Sequence, residues 1–235
     1  MRLGILKTGA PPEALQERFG DYPAMMRQLL GQEAHDYVEF AVDAGRLPAS
    51  PEACQAYLVT GSSAGVYEDL PWIEPLKDFL RQARGRSRLV GICFGHQIMA
   101  EAFGGQVIKS PKGWGVGLHA YEVLAAEPWM EGDGPVALAA SHQDQVVRPP
   151  AGARVLGARA FTPYAMLDYG DGAISMQPHP EFAPDYARAL IEARRGSRYS
   201  DGQADAAVAS YEAPDDRQRV GRWISNFLEG SSATA

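Results

Sequence analysis

The chain has 235 residues, 46% hydrophobic and 22% charged, a composition expected of a soluble globular protein with one large domain or a domain and a small appendage. Its 22 basic and 29 acidic residues leave a formal net charge of −7 with no basic run, which argues against nucleic acid as a partner. No apolar run approaches the length of a membrane span, so no membrane association is expected.

Leu3 to Leu6 reads as a first buried strand. Helical spacing follows over Pro12 to Phe19 and Pro23 to Leu30, with Gly31 as the stop. Tyr37 to Val42 alternates apolar and acidic residues as a second strand, and Ala56 to Val59 is a third, ending in the turn cluster Thr60 to Gly65. Trp72 to Arg84 is an amphipathic helix closed by Gly85, and Leu89 to Ile92 is a short apolar strand leading into Cys93. A helix over Gln97 to Phe103 then stops at Gly104-Gly105.

From Gln106 to Gln177 the pattern becomes short β-type runs: Gly117 to Leu124, Val136 to Ala140, Arg154 to Ala158, Ala165 to Tyr169 and Ala173 to Gln177. Asp168 to Gly172 reads as the turn of a hairpin. Two helices, Asp185 to Arg194 and Asp216 to Leu228, are expected on either side of a polar Gly/Ser/Asp stretch, and Ser231 to Ala235 as a frayed tail. Strands alternating with helices argue an α/β fold, an open, mostly parallel sheet flanked by helices, with ligands bound beyond the C-terminal strand ends. The Gly61–Gly65 loop and Cys93 both fall at such ends and are expected to lie close together.

Cys93 stands between Gly91 and Gly95, the arrangement of a nucleophile on a sharp strand-to-helix turn. Side chains two positions away would collide with neighbouring elements, and the helix that follows aims its positive end at the sulfur. Read alone, Cys93 fits a buried structural thiol as well; the two glycines and the preceding strand favour a nucleophile. Such a nucleophile needs a base, and the base an orienting group. His35 lies in a polar stretch and is expected to be solvated; His96 adjoins the elbow but should point elsewhere; His119 sits in an ordinary strand pattern. His179 follows an apolar strand in a loop stiffened by Pro178 and Pro180, and Glu181 can reach back to its imidazole. Two cysteines make no disulfide framework, so a reducing cytoplasm is the expected compartment; Met1 to Lys7 has no signal-peptide pattern. No C-x-x-C or H-E-x-x-H motif supports a zinc site.

Together these segments resemble the class I glutamine amidotransferases, which carry a Cys-His-Glu triad in G-x-C-x-G-x-Q and P-x-P-E motifs. Here the motifs stand as Gly91-Ile92-Cys93-Phe94-Gly95-His96-Gln97 and Pro178-His179-Pro180-Glu181. Ser141-His142-Gln143-Asp144 is similar to the S-H-x-D segment of the GMP synthetase amidotransferase domain, and Thr60 to Ser63 lies where the family has its oxyanion loop. Val66 to Ile73 resembles the free-standing GMP-synthase-like amidotransferases, a group similar to γ-glutamyl peptide hydrolases. The resemblance implies a flavodoxin-like amidotransferase domain over 1–182, with 183–230 as a C-terminal helical extension packed on it. It also implies Cys93 as nucleophile, His179 as base then acid, and Glu181 as orienter. Backbone N–H groups of Phe94 and of the Gly61-Ser62 turn would form the oxyanion hole, and Gln97 and His142 would line the γ-glutamyl pocket. The family commonly has Gly-Gly where this chain has Gly61-Ser62; a backbone donor survives that change.

The implied activity is hydrolysis of glutamine or another γ-glutamyl compound through a γ-glutamyl thioester, with no metal or organic cofactor. The sequence after Phe182 has no phosphate loop and is too short for a synthetase domain. Two alternatives stand beside a stand-alone hydrolase: a glutaminase subunit delivering ammonia to a separate synthetase, and a catalytically vestigial regulatory module. A redox protein using the elbow cysteine alone is disfavoured by the His179–Glu181 pair.

Overall fold

A computed structural model describes residues 1–231; the expected frayed tail, Ser231 apart, lies outside the described residues. The chain order is β1 (Arg2–Lys7), α1 (Glu13–Phe19), α2 (Tyr22–Leu30), β2 (Asp36–Ala41), β3 (Ala56–Val59), α3 (Ile73–Ala83), β4 (Arg88–Ile92) and α4 (Phe94–Ala102). It continues with β5 (Gln106–Lys109), β6 (Gly115–Val123), β7 (Val136–His142), β8 (Asp144–Arg148), β9 (Arg154–Ala158), β10 (Met166–Gly170) and β11 (Ala173–Met176). Helices α5 (Pro184–Arg194), α6 (Asp201–Ala209) and α7 (Arg217–Glu229) close the chain.

The central sheet has the order β2-β1-β3-β4-β11-β10-β9-β6-β7. The first five strands are mutually parallel and the rest antiparallel, so the fold is an open α/β sheet flanked by helices. Successive strand residues face opposite sides, and the parallel strands are apolar on both. Leu3, Ile5, Leu58, Val90 and Ile92 pack on the side covered by α2 and α7, where Trp223, Ile224 and Leu228 are buried. Leu6, Tyr57, Val59 and Leu89 pack on the other side, under α3 and α4. Each fully buried side chain of this size contributes roughly 1.5–3 kcal/mol from leaving water. A third cluster, with Tyr22, Phe182, Tyr186, Leu190 and Tyr199, seats α5 and α6 against β7 and α2. The apolar stripes of α5 and α7 therefore pack into this chain's own core.

Three features depart from the sequence reading. The polar stretch after α5 contains α6, whose start is a capping box between Ser200 and Gln203. Strands β5 and β8, too short and polar to stand out, pair as a separate antiparallel ribbon. His35 is only 9% exposed and packs edge-on against Tyr37, so the polar stretch around it does not leave it solvated. The hairpin over Asp168 to Gly172 does form between β10 and β11, with Asp171 at φ 52°. Among the described residues no helix is long and apolar enough to cross a membrane.

Candidate active site

Strands β3, β4 and β11 are neighbours, so the loops after their C-terminal ends converge. These loops carry Gly61, Cys93 and His179 respectively. Cys93 caps the start of α4 with φ 53° and ψ −100°, a region that non-glycine residues seldom occupy. Strain of this kind persists only where the surroundings enforce it. Its N–H donates to the Met176 carbonyl at 2.9 Å, tying the elbow to the adjacent strand. Both flanking glycines are required by close approach. A Cβ on Gly95 would lie 2.4 Å from the Val59 carbonyl oxygen, and one on Gly91 would lie 2.5 Å from that of Gly95.

His179 is placed by a long-range contact. The antiparallel end of the sheet curls back, and Ala139 of β7 pairs with His179, whose N–H donates to the Ala139 carbonyl at 2.9 Å. The same curl brings Ser141, His142 and Gln143 to the site. His179 Nδ1 donates to Glu181 Oε1 at 2.7 Å. Both side chains are buried, and the other carboxylate oxygen of Glu181 has no hydrogen-bond partner among the described residues. The imidazole stacks flat on Phe182, with centroids 3.9 Å apart and planes 9° apart. Burial disfavours the imidazolium, but Cys93 and Glu181 together outweigh it and hold His179 well above the ordinary imidazole value.

Gly61 closes the site from above. A Cβ there would lie 3.2 Å from His179 Cε1 and 3.9 Å from Cys93 Cβ, so the loop and the elbow are adjacent, as their strand-end positions imply. Thr8 fixes this loop: its hydroxyl has the carbonyls of Thr60 and Gly61 within reach at 3.0 and 3.2 Å, and its one proton goes to either. The Phe94 side chain turns away into the core against Trp72, and Phe94 is not among the residues that line the cavity described below. As the first residue of α4, its N–H has no intrahelical acceptor.

Cys93, His179, Gly61, Ser62, Gln97 and His142 all line one cavity of about 390 Å³. The carboxamide nitrogen of Gln97 is occupied in holding the wall, donating to the Asp144 carbonyl at 2.9 Å and to Gln177 Oε1 at 3.1 Å. His142 is likewise a wall residue, its ring within 3.2 Å of the Asp144 carbonyl; burial lowers its pKa to about 3, so it is neutral. His96 points away from the cavity, to Ser175 Oγ at 2.7 Å, and burial also brings it to about 3. Cys54 is buried in the core beneath α3, outside the cavity lining.

Sequence reasoning missed part of the lining: Tyr22, Tyr67, Lys109, Trp114, Arg194 and Arg198. Tyr67, although 52% exposed, bridges the cavity mouth by donating to Asp144 Oδ2 at 2.9 Å. No local pattern marks these residues, because each reaches the cavity through tertiary contacts. Among the described residues no group of three or more His, Cys, Asp or Glu is arranged to hold a metal ion.

The sequence model for glutamine amidotransferase class-I matches residues 50–194, a span that includes the elbow, the His179–Glu181 pair and most of the cavity wall. A glutamine amidotransferase-like protein of Schizosaccharomyces pombe is 27% identical over 96% of this chain and 98% of its own length. Gamma-glutamyl peptidase 4 of Arabidopsis thaliana is 28% identical over 92% of this chain and 91% of its own. In three dimensions the chain is similar to a glutamine amidotransferase of Thermotoga maritima, with a TM-score of 0.80 over 97% of this chain and 98% of that one. At 17% identity, that likeness speaks for the fold alone.

Proposed function

Since the chain belongs to the class-I glutamine amidotransferase family, we propose that it is a hydrolase of γ-glutamyl amide bonds in which Cys93, His179 and Glu181 act as nucleophile, acid–base and orienting carboxylate. The observation that carries the reading is the convergence of Cys93, on its strained elbow at the cavity wall, with His179, whose Nδ1 is 2.7 Å from Glu181. The similarity to γ-glutamyl peptidases over nearly the whole chain supports the γ-glutamyl class of substrate.

The steps follow from the groups present. The Cys93 thiolate attacks the δ-carbonyl carbon of the γ-glutamyl group. Negative charge builds on the carbonyl oxygen, where the N–H of Phe94 and one from the Gly61-Ser62 turn receive it. Losing one such donor typically costs about 10²–10³ in rate. The C–N bond breaks as the His179 imidazolium, hydrogen-bonded to Glu181, gives its proton to the leaving nitrogen. Neutral His179 then takes a proton from water, which attacks the thioester and frees glutamate and the thiolate. Glu181 keeps the Nδ1 proton in place throughout, so that Nε2 carries the transfer.

The chain is proposed to act without a synthetase. Helix α5 and the turn that follows it already wall the cavity, and α7 fills the core. The test is steady-state kinetics on the purified chain with L-glutamine and γ-glutamyl dipeptides, following release of ammonia or amino acid. Turnover by the chain alone is the expected result. Silence with every substrate, followed by activity on addition of a synthetase from the same cell, would make the chain an ammonia-delivering subunit instead.

A further inference from the structure

We infer that the corner between α5 and α6 is a subsite for a carboxylate on the leaving group, with Arg198 as the residue that receives it. This rests on the hydrolase reading above and narrows its substrate to γ-glutamyl peptides with a free C-terminal carboxylate.

The first ground is direction. His179 must lie within about 3 Å of the leaving nitrogen to protonate it. His179 stacks on Phe182, and Phe182 leads directly into α5. A leaving group longer than ammonia therefore extends past His179 along α5, whose Leu190 and Arg194 line the cavity before Ser197 and Arg198.

The second ground is charge. In a chain of net charge −7, the cavity is lined, besides the Cys93–His179 pair, by Lys109, Arg194 and Arg198 against two carboxylates, Glu68 and Asp144. Both carboxylates are engaged: Glu68 accepts the Gly65 N–H at 2.7 Å and Asp144 the Tyr67 hydroxyl at 2.9 Å. Among the described residues no carboxylate lies within 4 Å of any of the three cations, whereas Arg195, the neighbour of Arg194 in sequence, meets Glu192, Asp201 and Asp205. The cavity thus holds unneutralised positive charge.

The third ground is preorganisation. Arg194 is tied inward, donating to Ser141 Oγ at 2.8 Å. Among the described residues Arg198 has no such tie, and it lies over the Trp114 ring, 5.1 Å from its centroid, while Trp114 packs edge-on against buried Tyr199. The aromatic face holds the guanidinium without using its N–H groups, which stay free for the forked contact a carboxylate makes. The cavity volume of about 390 Å³ is that of a site for ligands larger than one amino acid.

The test separates binding from turnover. In the full-length Cys93→Ala variant, calorimetry compares γ-glutamylglycine with its C-terminal amide. The acid is expected to bind at least about tenfold more tightly, the range of a charge-assisted hydrogen bond. Adding Arg198→Gln should bring the acid-to-amide ratio close to one, and Arg198→Lys should keep part of the preference. Equal binding of acid and amide in Cys93→Ala would overturn the inference. So would an unchanged ratio in Arg198→Gln, with both ligands weakened alike or not at all. Turnover by the unaltered chain judges the hydrolase reading separately: an inactive chain that still prefers the acid would refute that reading and leave the subsite standing.

Discussion

Replacing Glu181 with glutamine removes a charge while preserving a shape, and the site geometry sets the size of the effect. Glu181 Oε1 accepts from His179 Nδ1 at 2.7 Å, and its second oxygen is buried without a partner. A glutamine can therefore keep its oxygen on Nδ1–H and place its amide nitrogen where that second oxygen was. The tautomer is retained and the electrostatic support is lost. With charge spread over ring and carboxylate, the centres lie about 4 Å apart, and an effective dielectric constant of about 20 gives an interaction of about 4 kcal/mol. That corresponds to about 10³ in rate if the whole interaction is felt at the transition state. Because the imidazolium is already present before the reaction starts, Glu181→Gln is expected to lower kcat/KM by about 10²–10³, less than His179→Asn, which abolishes proton transfer. Removing the carboxylate also lowers the His179 pKa that it helps to raise, so the alkaline limb of the pH profile should move to lower pH. The assay is kcat/KM for L-glutamine between pH 6 and 10 on both variants. A Glu181→Gln enzyme as active as the unaltered chain, with its alkaline limb unmoved, would refute the reasoning.

Cys93→Ser should fold and lose essentially all hydrolysis, because a serine hydroxyl is far less ionised than a thiol, whereas Cys54→Ser, in the core beneath α3, should keep it; the reverse outcome in a turnover assay would displace the nucleophile. Gly61→Ala places a methyl group 3.2 Å from His179 Cε1, so kcat should fall by about tenfold with little change in Tm; full activity would show that the loop does not constrain the imidazole. Acid should destabilise the fold from about pH 6.5 downward. His96 and His142, with pKa values brought to about 3 by burial, stay neutral in the fold while the unfolded chain takes up protons. Each histidine can remove at most about 1.4 kcal/mol per pH unit in that window; His179, whose value is raised, gives a smaller opposing gain while the unfolded imidazole titrates, complete about one unit below pH 6.5. Urea unfolding at pH 7 and pH 5 should show the loss, reduced in His96→Gln; equal stability at the two values would refute it.

What the sequence determined about this protein is local in physical origin. Gly91 marks the elbow because a Cβ there would strike the Gly95 carbonyl at 2.5 Å, a constraint written into five consecutive residues, whereas Gly95 is held to glycine by Val59 of the neighbouring strand. His179 and Glu181 are two positions apart, so their hydrogen bond needs only a short stiff loop. The apolar stripe of α7 announces a buried face, and Val220, Trp223, Ile224, Phe227 and Leu228 fill the core. Helix α6 was within reach of the same reasoning through its Ser200–Gln203 capping box, but its buried face is only Ala204 and Ala207, too small to show as a stripe.

Tertiary structure alone decided the rest of the cavity. Tyr67 meets Asp144 across 77 residues, Arg194 meets Ser141 across 53, and Trp114 lies under Arg198. These meetings depend on the antiparallel end of the sheet curling back until Ala139 pairs with His179. Such curvature comes from the summed twist of many strands and from the packing of α5 and α6 on them, and no short window of sequence encodes it. The proposed reacting groups are therefore legible as motifs. The groups that line the rest of the cavity are not, because their proximity is a property of the folded sheet.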